Sequence, residues 1–353
     1  MNVQRYVPLF IIAALVVAAQ LLATAAGQPF YLTQLTMAAY YTIVVVGLCM
    51  LMGYAGQISM GHAGFFAIGG YASAALTTAD FSATVHAGLG RFMVKAGCIA
   101  LGKNLYGADV ARLNPWLAFA AAIIITIVIA YLIGVPVLRL KGHYLAMATL
   151  GFGSIIYKIV LGTRGLGGAD GISGVPEFTL VPGLSVTGSV AARVLNYYIA
   201  WSLVLLAALF MHNLVDSRAG RALRSIHGNE EAASAMGVDT ARYKLGLFII
   251  SAVFASIAGI FLTHYNGGIG PSEASIMKSV RYVAVVAVGG MANLWGAILA
   301  SAVLNFLSLR GYFGSYDEAM FGGILVLVML FAPNGILIKM DWLKRRNKLE
   351  NKR

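Results

Sequence analysis

Few side chains in this 353-residue sequence could do chemistry, since only 13 are acidic and 6 are histidine. The candidates are Gln57, Ser59, His62 and Gly64 in one glycine-rich run, Asp170 in another, the pair Glu230 and Glu231, and Glu273. His62 fits either a proton carrier or a histidine packed among polar neighbours. Asp170 has no second acid at ligand spacing, which argues against a metal or phosphate site. Glu273 is a rare acid beside an apolar stretch, a functional candidate by its cost alone. The competing account pairs it with Lys278 or has it cap the next helix. Glu230 and Glu231 follow Asn229 and precede Ala232, Ala233 and Ala235. That order gives an N-cap, acids at the positive helix end and good helix formers, predicting a short helix over 230–236. Gly237 supplies its stop, because glycine takes the left-handed conformation that ends helices.

The elements holding these residues must be membrane helices. Hydrophobic residues make up 59% of the chain, charged residues 11%, and the mean hydropathy is +0.81, far from a soluble domain's balance. Runs of about one bilayer's length are expected at 7–26, 32–52, 115–138, 143–161, 195–215, 246–263 and 319–338. The run at 53–76 holds a third span with Gln57, Ser59 and His62 at or near its start, and its small residues suit close helix approach or a broken segment lining the pathway. Ala23-Thr24-Ala25 fits a signal-peptidase site, but the many later spans favour an uncleaved first helix. Residues 279–310 break at Gly289-Gly290 and at Asn293. Read as two short, tilted crossings, they bring the total to about ten helices, with nine the alternative.

Charge sets the orientation. The net charge is +12, but its basic residues gather in breaks between apolar runs and at the C-terminus. That is the pattern of membrane topology and not of a nucleic-acid surface. The break at 217–244 carries Arg218, Arg221, Arg224, Arg242 and Lys244, so it is expected on the cytoplasmic side, as is the basic tail 339–353. The polar stretch 79–114 falls outside, where it could touch a partner or be an idle insertion. Residues 163–176, rich in Gly and Pro, form an external turn segment. Cys49 and Cys98 offer neither a disulfide framework nor metal spacing.

Two runs resemble a known family. Glu231-Ala232-Ala233, three residues and Gly237 resemble the EAA motif of bacterial ABC-importer permeases, although Val238-Asp239-Thr240 stands where the fuller motif has Ile-x-Leu-Pro. Gly-Gln-Ile-Ser-Met-Gly-His-Ala-Gly-Phe at 56–65 and the run 137–153 resemble the branched-chain amino acid ABC-transporter permeases, specifically the LivM-like branch. The resemblance implies an all-α polytopic permease bundle filling 1–353 as one domain, with 217–244 as a cytoplasmic coupling loop. Glu230, Glu231, Ala232, Ala233 and Gly237 would then form the helix that docks on an ATPase. Its partners would be ATP-binding cassette subunits, a LivH-like second permease, and a periplasmic or extracellular substrate-binding protein, all at a bacterial inner membrane.

Other classes fit less well. No GxxxxGK[ST], HExxH or GxSxG is present, so nucleotide hydrolysis, zinc proteolysis and serine hydrolysis on this chain are unsupported. An ion-coupled secondary transporter should carry acids within its spans, whereas most acids here lie in loops. The expected activity is non-catalytic import of a branched-chain or related amino acid, with urea or short amides as alternatives. No metal or organic cofactor is implied.

Overall fold

The computed structural model describes residues 6–80, 99–103 and 109–331. Most of the 79–114 stretch with Cys98, the end of the last expected span, and the tail 339–353 lie outside the described residues.

Among the described residues six helices are long and apolar enough to cross a membrane. They are α1 (Val7–Ala25), α2 (Phe30–Ala55), α4 (Pro115–Val137), α5 (His143–Gly162), α6 (Arg193–Asp216) and α9 (Thr240–Asn266). Shorter helices complete the bundle: α3 (His62–Thr78), α7 (Arg218–Gly228), α8 (Glu230–Ala235), α10 (Ile276–Gly289), α11 (Leu294–Leu309) and α12 (Asp317–Phe331). The expected break in 279–310 is real, since a turn at Gly290 to Asn293 separates α10 from α11. At 14 and 16 residues these helices are about 21 and 24 Å long, short of the hydrocarbon thickness.

Burial sorts the helices into centre and rim. A helix that is apolar all round has no solvent face and belongs in the middle. α2 fits this description, with residues 38–53 buried almost without a break. It packs against α6, α9, α10 and α11. By contrast, α1, α4 and α5 expose Phe10, Leu22, Ile124, Leu132 and Ile155, the apolar rim a lipid environment accepts. Lipid tails are as apolar as leucine, so close fit and polar contacts must hold such helices together.

The closest fit is the α3–α9 crossing. A Cβ on Gly259 would collide with the Phe66 carbonyl, and one on Gly69 with Ser256. Glycine is required at both positions because the two backbones nearly touch. The connections between helices carry three two-stranded ribbons, a departure from a purely helical chain. β1 (Ile99–Lys103) pairs with β2 (Asp109–Leu113), β4 (Phe178–Val181) with β5 (Leu184–Val186), and β3 (Ile172–Ser173) with β6 (Gly268–Ile269). The last ribbon ties the glycine-rich turn after α5 to the end of α9.

Two glycines on α9 should respond to alanine with opposite signs. Gly259→Ala meets the Phe66 carbonyl, while Gly246 has open space around it. Overpacking should cost about 1–3 kcal/mol, whereas Gly246→Ala should gain up to about 1 kcal/mol of helix propensity. Thermal unfolding of the purified protein in detergent should show a lowered midpoint for the first and an equal or raised midpoint for the second.

Candidate functional site

The polar segment 217–244 holds two helices where the sequence reading placed one. α7 forms because Gly220, Leu223 and Ile226 recur at helical spacing and bury one face. Ser217 caps it by accepting the Gly220 N–H at 3.3 Å, and Arg224 Nη2 donates to the Val215 carbonyl at 2.6 Å. α8 follows at once, with Asn229 Oδ1 accepting the Ala232 N–H at 3.0 Å. It ends at Ala235, Met236 is its C-cap, and Gly237 turns away at φ +84°. α9 begins at Thr240, ahead of the Gly246 start expected from hydropathy, because Asp239 caps it and the Lys244 charge is neutralised.

That neutralisation joins α8 to α9. Lys244 Nζ donates to Glu230 Oε1 at 2.5 Å, and the lysine side chain is only 9% exposed. Glu231 instead reaches Lys141 at 3.5 Å with its side chain 87% exposed. Ala233 is buried and Ala232 is exposed. Met236 is exposed as well, so α8 presents an acidic and apolar outer face.

The glycine-rich run lies directly against this segment. Gly56 ends α2 at φ +65°, and a Cβ there would lie 2.8 Å from His227 Nδ1 at the tip of α7. Gln57 follows in the loop, buried, with neither amide atom hydrogen-bonded. It lines a cavity of about 160 Å³ shared with Lys141, His227, Glu230 and Lys244. Ser59 Oγ lies 3.1 Å from His62 Nδ1, and His62 Nε2 lies 2.7 Å from Ser251 Oγ of α9. Both ring nitrogens of His62 are thus occupied by hydroxyls, the geometry of a packed histidine. Gly64 lets α3 approach Phe152 and Gly153 of α5.

Glu273 belongs to a second cluster. It sits in the 3-10 turn Pro271–Ala274 just before α10. Lys278 Nζ donates to its Oε1 at 3.0 Å and to the Tyr41 hydroxyl at 2.9 Å, and that hydroxyl donates to the same Oε1 at 3.1 Å. The pairing with Lys278 is therefore present, and the aromatic partner Tyr41 comes from α2, where no sequence signal marked it. Asp170 lies apart from both clusters, exposed in the turn after α5, with its N–H donated to the Gly167 carbonyl at 3.2 Å. Among the described residues no group of three or more His, Cys, Asp or Glu side chains could hold a metal ion.

Apolar helix faces turned outward, with charges and hydroxyls paired inside, define a polytopic membrane protein. The model of the family "Branched-chain amino acid transport system / permease component" matches residues 30–333, and the chain belongs to that family. It is 32% identical over 344 residues to the permease protein LivM of Salmonella typhimurium, covering 90% of this chain and 73% of that one. LivM of Escherichia coli is 31% identical over the same length. LivH of Salmonella typhimurium is 25% identical over 318 residues, covering 86% of this chain and 92% of that one. All three carry the description high-affinity branched-chain amino acid transport system permease protein. The placement in the LivM-like branch agrees with these identities. No solved structure matches the chain.

The two lysine–glutamate pairs of the polar face should differ in worth. Lys244→Met strands a mostly buried carboxylate partner and should cost about 1–3 kcal/mol, below the 3–5 of a fully buried pair because Glu230 keeps some solvent. Lys141→Ala removes an exposed pair worth about 0–1 kcal/mol. Thermal midpoints of the two variants should separate in that order, and equal midpoints would show that Glu230 does not depend on Lys244.

Proposed function

We propose that this chain is the permease subunit of an ATP-driven importer for branched-chain or related amino acids, working by alternating access. The observation that carries the coupling part is the double attachment of the 217–244 segment. Its outer face exposes Glu231 and Met236, where a partner can meet them. Its inner face is fixed to α9 through Glu230–Lys244 and to the end of α2 through His227 and Gly56. A push on α8 would therefore be delivered to two of the most buried helices of the bundle.

In this reading ATP hydrolysis belongs to separate ATP-binding cassette subunits, and the chain itself catalyses nothing. Residues 230–237 are the coupling helix and its stop. A LivH-like permease completes the transmembrane pathway, and a periplasmic or extracellular binding protein delivers substrate at the opposite mouth. The topology is about ten crossings, counting α10 and α11 as short ones. It sets 217–244 and the tail 339–353 in the cytoplasm of a bacterial cell and 79–114 outside its inner membrane. Gln57, Ser59, His62 and Gly64 form the hinge between the coupling segment and α3. Asp170 lies at the external mouth. The names of the relatives favour branched-chain amino acids over urea or short amides.

Co-expression with the cognate ATPase and second permease tests this. Glu231→Arg and Met236→Arg alter exposed positions and should leave the bundle folded. Each should reduce ATPase co-purification or substrate-stimulated hydrolysis about tenfold or more, the scale of losing a central anchor at an interface. Full retention and full stimulation in both variants would place the docking site elsewhere.

A further inference from the structure

The Glu273 cluster has the wrong depth and the wrong satisfaction for a structural ion pair alone. Tyr41 is near the middle of α2, which runs 26 residues. The cluster is therefore about 17 Å along the helix axis from the α2 N-terminus and about 21 Å from its C-terminus. Charges so placed are costly, and where they occur they mark a pathway or a binding site.

The unpaired atoms are as telling as the paired ones. Glu273 Oε2, the Tyr71 hydroxyl and the Tyr282 hydroxyl are all buried and have no hydrogen-bond partner. Tyr282 is fully buried and Tyr71 is 3% exposed. The Tyr282 ring lies 6.2 Å from the Tyr41 ring between centroids, and Tyr71 packs in one buried cluster with Ala274, next in sequence to Glu273, so the three orphan groups border one region. Buried polar groups are normally satisfied, so three such groups in one place can hydrogen-bond a polar ligand at no loss of protein contacts. Lys278, with three donors, spends two on Glu273 and Tyr41 and has one left.

We propose that Glu273, Lys278, Tyr71 and Tyr282 form a transient site for the zwitterionic head group of the transported amino acid. The proposal rests on the importer reading above. A carboxylate would accept from Lys278 and from the tyrosine hydroxyls, and an ammonium would donate to Glu273 Oε2. The protein cluster is net neutral, and so is the zwitterion, so occupancy adds no net charge to an apolar region. A cation or anion lacking its counter-group would leave one member uncompensated, which costs far more than a neutral exchange. The Tyr41 ring is stacked with Phe66 at 5.9 Å and tilted against Tyr282 at 6.2 Å between centroids, and the three rings offer an apolar wall for an aliphatic side chain. Ser272, Ile276 and Met277, next in sequence to the cluster, are exposed, so a small shift of the turn before α10 would open it.

The test uses the whole importer in proteoliposomes, with leucine as the probe and leucinamide and 4-methylpentanoate as competitors. Tyr71→Phe and Tyr282→Phe delete hydroxyls that have no protein partner. If the hydroxyls serve only the fold, phenylalanine should raise the thermal midpoint or leave it alone, and leucine uptake should not change. If they serve the substrate, the midpoint behaves the same while uptake falls about tenfold for each variant, the scale of a hydrogen bond to a charged group. The wild type should also be inhibited by neither competitor at concentrations where unlabelled leucine competes fully. Uptake within twofold of wild type in both variants, or strong competition by either half-molecule, overturns the proposal and leaves the importer reading standing. Absence of ATP-driven leucine uptake by the wild-type complex overturns the importer reading, and the proposal with it.

Discussion

A polar group inside this bundle can take a partner only from the protein or from a molecule bound to it, because apolar surroundings offer none. That constraint fixes how the helices are registered. Thr42 of α2 donates to Ser301 of α11 at 2.9 Å, and Thr126 of α4 donates to Ser256 of α9 at 2.9 Å. Ser73 of α3 lies 2.8 Å from His264 Nε2, whose other nitrogen lies 2.7 Å from the Pro176 carbonyl. A carbonyl can only accept, so Nδ1 carries the proton, and in the neutral ring Nε2 accepts from Ser73. Such bonds are worth about 0.6–2 kcal/mol each in membrane proteins. Their larger effect is on specificity, since a helix slipped by one turn would strand several of them together. α9 contributes Ser256 and His264 to these contacts and Ser251 to His62 of α3, which makes it the helix against which α3 and α4 are set.

Charge obeys the same rule at higher stakes. Three pairs carry most of the interior charge among the described residues: Glu230–Lys244, Glu273–Lys278 and Arg281–Asp317. Each fastens a short element that packing alone would hold weakly. The first binds the six-residue α8 to α9. The second binds the 3-10 turn to α10. The third binds the start of α12 to α10, reinforced by Ser308 donating to Asp317 at 2.8 Å and by the Arg281 guanidinium over the Phe321 ring. Short elements are placed by electrostatics here, and long ones by fit.

What could be read from the sequence follows this division. The long apolar helices, the cap at Asn229, the stop at Gly237 and the break between α10 and α11 all depend on local composition, and local composition is what a sequence displays. The pairing of Glu273 with Lys278 was also legible, since the residues are five apart. α7 was not anticipated, because its buried face is only three residues wide and its arginines dominate the average. Tyr41 and Tyr282 were invisible as site residues, for an aromatic in an apolar helix gives no sign of which ring will meet a charge. The contact of Gly56 with His227 joins residues 171 positions apart, and nothing local records it.

The glycine-rich run gains its meaning from what lies at its two ends. At one end Gly56 and Gln57 meet His227 and the cavity beside Glu230. At the other, the Ala63 N–H donates to Ser279 Oγ at 3.3 Å, next in sequence to Lys278. Between them His62 holds Ser251 of α9. A continuous set of contacts therefore joins the proposed docking face to the half-buried Glu273–Lys278 pair, but contiguity is not coupling. Coupling needs an element with two arrangements whose balance both ends can bias. On the reading proposed here, the turn that carries Glu273 would supply that element on electrostatic grounds. It cannot leave Lys278 unaccompanied, because a separated charge at this depth costs several kcal/mol. It can move when a second, net-neutral pair of charges takes over both partners. A zwitterion is such a pair, so on the reading proposed here the same atoms that recognise the cargo also make movement of the turn conditional on its arrival.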